Sequence, residues 1–311
     1  MITSFFIALL VLASVYAVLA SIEAGISLSM LFPKLSNQPR SNKNAYTPIW
    51  EITNVFLVFA VVFVSIIFNN ALSNSSKIAL IPLFFAGSAL LLRAICGLYI
   101  FYSSNKIGLI PRILLMISSY LAPLSVAVIG IDFFLGQSVW SSRAGLVLLS
   151  AALIGINVIG LAFVNRHKLA ISSSVKYLLY VLFGLWAIDL GFMLPHVLMS
   201  FDSGLLLRVP LTILIVSIAV SAVGFFLSSA AKNKVYELYQ YAILVGFITP
   251  VLLGLDMRPY FINHVITIKA AYGAAAYQSS MVIGTIIAAP ILLIGFGLLF
   301  KLLLDEKNLK Q

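Results

Sequence analysis

The sequence predicts an all-α, polytopic membrane helical bundle of about nine transmembrane helices in a single integral membrane domain, 1–311, and three observations predict it. Hydrophobic residues make up 62% of the chain and charged ones only 9%, with a mean hydropathy of +1.13, a profile foreign to water-soluble domains. Apolar runs of about 20 residues recur along the whole length, the span an α-helix needs to cross ~30 Å of hydrocarbon. The polar segments between them, such as PKLSNQPRSNKNAYTP, NNALSNSSK, SSNKIGLIP and NRHKLAISSS, are too short to hold a soluble domain.

The first helix, 4–31, lacks a basic start and outruns a secretory core, so it reads as a membrane span and not as a cleaved signal. The second, 48–69, opens at Pro48, whose missing N–H costs nothing at the first helical position, and carries Glu51 just inside. The third, 78–102, holds Arg93 and the lone Cys96, a small core hydrophobe that excludes an intramolecular disulfide and any cysteine cluster for metal. Helices 112–136, 144–164, 176–200, 208–230, 236–256 and 279–304 complete the count. Only 257–278 is long enough to hold a short re-entrant or surface segment. No internal repeat stands out.

A net charge of +10 does not indicate nucleic acid here, because the basic residues sit in short loops and not on one face of a folded domain. They act as topology signals. Thirteen lie on the side that carries the C-terminus, five on the other, and Arg93 lies within a helix, so the N-terminus is expected outside and the C-terminus in the cytoplasm of a cell membrane.

With that orientation, a rise of ~1.5 Å per residue puts Glu23 roughly 28 Å across the first helix, Glu51 about 5 Å into the second and Arg93 roughly 22 Å into the third. All three fall in the inner third of the bilayer. Two carboxylates and a guanidinium at one level on successive helices can offset one another's desolvation if those helices pack together. Intramembrane ionisable residues mark ion or proton routes by default, so the functional reading is a proton intake built from Glu51 and Glu23, with Arg93 positioning them and Asn54 one turn on from Glu51. The alternatives are a static ion-pair network that locks three helices, and a Glu51 that turns back to water.

Asp189 lies near mid-membrane and His196 two turns further on, with Pro195, Met193 and Met199 close by. His and Met can ligate haem, which makes His196 a weak cofactor candidate, although a lone imidazole at the outer interface is the commoner case. Asp132 and Asp256 are expected at helix ends near solvent. There is no GxxxxGK[ST], GxGxxG or HExxH motif, so no catalytic residue and no metal site is expected in this chain.

The order of these features resembles subunit II of cytochrome bd-type quinol oxidases. An acid-x-Gly ends the first helix, here Glu23-Ala24-Gly25. A Pro-x-Trp-acid segment opens the second, here Pro48, Trp50 and Glu51, followed by Val55, Phe56 and Leu57. Arg93 stands where the family has an arginine late in helix 3, and the stretch from PYFINH to KLLL is similar to the family's outer segment and last helix. The chain departs from the pattern at Glu51, usually Asp, at Ile52 and Thr53, commonly Gly and Asn, and at Phe56, commonly Trp, so the hydrogen bonds of that Asn are not carried over.

The resemblance implies two four-helix bundles plus one helix, and a non-haem respiratory-chain subunit paired with a haem-bearing subunit I. That partner would hold haems b and d, receive quinol and reduce oxygen. This chain would supply a proton path from the cytoplasm with Glu51 as its inlet. Whether it also carries a structural quinone or lipid, and whether small accessory subunits join, stays open. A proton-coupled secondary transporter, or a quinone-interacting anchor of another respiratory complex, is the rival reading.

Overall fold

The computed structural model describes residues 2–31, 39–102, 108–166, 235–273, and the positions 180–182, 184–186, 188 and 284. Helix α1 (Ile2–Leu31) is followed by α2 (Pro39–Ile67), α3 (Asn69–Tyr102), α4 (Leu109–Leu135), a 3-10 turn at Val139–Ser141, and α5 (Arg143–Arg166). Beyond these lie α6 (Val235–Asp256), an antiparallel hairpin of β1 (Tyr260–Ile262) and β2 (Ile266–Thr267), and the short α7 (Ile268–Ala271). Five of the described helices are long and apolar enough to span a membrane: Ile2–Leu31, Ile49–Ile67, Ala79–Ile100, Leu109–Leu135 and Arg143–Val164. The expected helices 208–230 and 279–304, and all but a few positions of 176–200, lie outside the described residues.

The bundle is built around α1, which packs against α2, α4, α5 and α6. Every residue from Val18 to Ser27 is buried, so this half of the helix is enclosed on all sides. Small side chains make that enclosure feasible. A Cβ on Gly25 would stand 2.3 Å from the backbone carbon of Gly160, which means α1 and α5 cross backbone against backbone. Close approach of this kind is how membrane helices gain van der Waals contact when lipid offers no hydrophobic driving force between them.

Two helices begin earlier than hydropathy suggests. The second starts at Pro39 and not at 48, because a helix does not have to end where the apolar run does. The third starts at Asn69 and not at 78, directly after the break at Phe68. Its polar first turns are tied down by the segment after the hairpin: Gly273 N–H donates to Ile67 O at 3.2 Å, and the Asn70 amide reaches Ala270 O and Tyr272 O at 3.4 and 3.3 Å.

The stretch expected to be re-entrant or superficial, 257–278, contains that hairpin, which closes the end of the bundle where α1 begins. Phe261 lies among Phe6, Phe68 and Phe133, with ring centroids 4.7–6.0 Å apart. Asn263 N–H donates to Phe133 O at 2.9 Å. Gly136, at φ +67°, ends α4 where a side chain would collide with Asn263 O. Asp132, expected near solvent, is instead buried and accepts the Val139 N–H, because the hairpin and the α4–α5 turn cover it.

Candidate functional site

At the opposite end of α1, the enclosed half of the helix carries one ionisable side chain, Glu23. Enclosed by helices and buried, it needs a polar partner inside the protein. Arg93 of α3 supplies it: Nη1 donates to Glu23 Oε2 at 2.8 Å, and both side chains are 0% exposed. The second carboxylate oxygen, Oε1, accepts from the Tyr46 hydroxyl of α2 at 2.8 Å. Arg93 Nη2 donates to Asn54 Oδ1, also on α2. One acid and one guanidinium therefore bind three helices through four side chains. Thr53, buried beside Glu23, sends its own proton to Ile49 O at 2.7 Å.

Local geometry explains the placement. Tyr46, Trp50, Thr53 and Asn54 recur at helical spacing and form the inward face of α2. Tyr46 can reach Glu23 only because α2 begins before the membrane boundary. Arg93, Cys96, Gly97 and Ile100 form the buried stripe of α3, while Leu91, Ile95, Leu98 and Tyr99 face outward.

Of the four residues singled out from the sequence, Glu23, Arg93 and Asn54 come together. Glu51 does not join them. It is exposed, heading an outward row of α2 with Val55, Val58 and Val62 at helical spacing. Asp189 and His196 lie outside the described residues. Tyr46 was not singled out, since a second helix beginning at 48 leaves it in a loop. Running the helix back to 46 exposes the signal, a Tyr-Trp-Thr-Asn face opposite Glu23.

Other polar side chains stand in this interior. Tyr120 of α4 donates to Asn157 Oδ1 of α5 at 2.9 Å. Among the described residues the one histidine is His264, exposed at the hairpin turn, so the described part of the bundle offers no buried imidazole for a haem.

The model of the family described as "Cytochrome bd terminal oxidase subunit II" matches residues 1–303. No curated protein matches the sequence. Among solved structures, "The structure of bd oxidase from Geobacillus thermodenitrificans" contains a chain to which this one is similar, with a TM-score of 0.74 at 16% identity, covering 97% of this chain and 98% of that one.

Proposed function

From the premise that the chain belongs to the cytochrome bd terminal oxidase subunit II family, whose model spans residues 1–303, we propose that it is the non-haem membrane subunit of a quinol:oxygen oxidoreductase. It pairs with a haem-bearing subunit I, in which haems b and d carry out electron transfer and oxygen reduction. It gives that partner a proton route from the cytoplasm through Glu51, Glu23, Arg93 and Asn54. The N-terminus lies outside and the C-terminus in the cytoplasm, as the loop charges indicate.

The observation that carries this reading is a pair of acids beside α2, one enclosed and one exposed. Glu23 is enclosed with Arg93, and Glu51 sits on an outward row of valines. A carboxylate on a lipid-facing row is costly, so the row needs a protein cover that also gives Glu51 a polar partner. A haem-bearing subunit seated there would receive protons that enter at Glu51 and pass by way of Asn54 and the Glu23–Arg93 pair, which also ties α1, α2 and α3 together. Asn54 links the two, lying one turn from Glu51 and hydrogen-bonded to Arg93.

Glu51→Gln in the assembled oxidase tests the route. Slower turnover and a smaller membrane potential at unchanged complex yield are expected. Normal turnover with an undiminished potential removes the proton role, and a lower yield at unchanged specific activity makes Glu51 structural. Copurification of a haem partner, seen as a reduced-minus-oxidised difference spectrum, tests the pairing itself.

A further inference from the structure

Both oxygens of the Glu23 carboxylate are occupied, and their two donors are chemically unlike. Arg93 Nη1 donates to Oε2 and the Tyr46 hydroxyl donates to Oε1, each at 2.8 Å. A guanidinium can only donate, whereas a phenol both donates and accepts. Tyr46 is itself buried, and its ring edge meets α3 at Gly97, where an added Cβ would stand 3.7 Å from it. Gly97 lies one turn from Arg93 on the same buried stripe, so α3 presents the guanidinium and, beside it, a bare backbone position that takes the ring. Ser119 of α4 is a further hydrogen-bonding neighbour of the Tyr46 hydroxyl.

These contacts differ in what they allow when Glu23 changes charge. As a carboxylate, Glu23 accepts from both donors. Once it takes up a proton, the new O–H needs an acceptor among buried groups, and a buried donor left unpaired is costly. Arg93 has no lone pair to offer. The Tyr46 oxygen has one: rotation of its O–H about the C–O bond turns the phenol proton away from Glu23, toward Ser119, and lets the oxygen accept from Glu23. Tyr46 keeps its own proton throughout. The added proton sits on Glu23 Oε1, and only the direction of the hydrogen bond reverses.

We infer that Tyr46 is a positioning residue for Glu23, holding its carboxyl group through the same contact in the charged and in the neutral form. The assignment rests on the proposed proton route, because only a Glu23 that changes protonation needs a partner able to both donate and accept. A phenylalanine at this position would keep the ring against Gly97 and serve neither form.

The test is infrared difference spectroscopy of the oxidised and quinol-reduced complex, purified with its accompanying subunits, together with turnover per haem. A carboxyl band that is displaced in Glu23→Asp belongs to Glu23. In Tyr46→Phe that band should move to higher frequency, as a carboxyl group does on losing a hydrogen-bond partner, and turnover should fall several-fold at native haem content. 3-Fluorotyrosine, placed at position 46 by amber suppression, retains the ring and the hydroxyl with a more acidic phenol; it should restore most of the turnover and still displace the band. Native turnover or an unmoved band in Tyr46→Phe overturns the assignment and leaves the proton route standing, and a lower yield of complex with an unmoved band makes Tyr46 a packing residue only. If Tyr46→Phe does not assemble, the fluorotyrosine protein decides, and an unmoved band there overturns the assignment equally. Absence of any Glu23 band from the native spectrum would show that Glu23 keeps one protonation state, which removes the route through it and this role together.

Discussion

Glu23 and Arg93 show how one contact can be structural and still limit chemistry. Each is fully enclosed, so each depends on the other for its polar environment. Removing one partner of a buried pair leaves an uncompensated charge and costs roughly 3–5 kcal/mol, whereas replacing both with apolar groups of similar volume is often near neutral. Glu23→Gln retains a polar group for Tyr46 but leaves Arg93 without its counter-charge. Arg93→Met leaves the Glu23 carboxylate alone. Thermal unfolding of the detergent-solubilised complex should show both single variants strongly destabilised and Glu23→Leu/Arg93→Met closer to the native protein than either. Destabilisations that simply add would mean that the two side chains are not coupled.

At the scale of the element, the crossing of α1 and α5 decides whether the site exists at all. Gly25 and Gly160 let the two backbones meet, and Glu23 sits half a turn from that contact. Gly25→Leu forces α5 outward and moves α1 against α2 and α3, where the ion pair lies. Since over-packing a tight site costs ~1–3 kcal/mol or more, the variant should lower assembled complex in membranes, measured by blue native electrophoresis. Gly87, with open space around it, should tolerate the same change in the same assay. Equal losses at both positions would show that α1–α5 contact is not what limits assembly.

On the scale of the whole molecule, the outward faces of α2 and α3 are apolar. Val55, Val58, Val61 and Val62 on α2, and Leu80, Leu83, Phe84 and Leu91 on α3, are all exposed in this chain. Lipid and a partner subunit would both suit such a surface, but they respond differently to bulk. Val58→Trp is readily accommodated by lipid, while at a packed interface it over-fills the contact. If the partner covers the Glu51 row, the variant should copurify with less haem per mole of chain, read from the difference spectrum. An unchanged haem content would place that row in lipid.

The class of the protein is legible from its residues alone. Hydropathy alone makes apolar runs of this length into membrane helices, because unsatisfied backbone cannot stand in hydrocarbon. It also marked Glu23, Arg93 and Asn54, since charged or amide groups inside such runs are rare enough to stand out. It could not separate Glu51 from them. Glu51 and Asn54 are one turn apart, and only packing shows which way α2 is rotated, sending Asn54 to Arg93 and Glu51 to the surface. Nor could it bring in Tyr46. It is an ordinary residue in a hydropathy profile and becomes significant only because the packing of α2 on α1 sets its hydroxyl against Glu23. Depth along a helix follows from a fixed rise per residue and is legible in one dimension, whereas the direction a side chain faces depends on which neighbours the helix packs against.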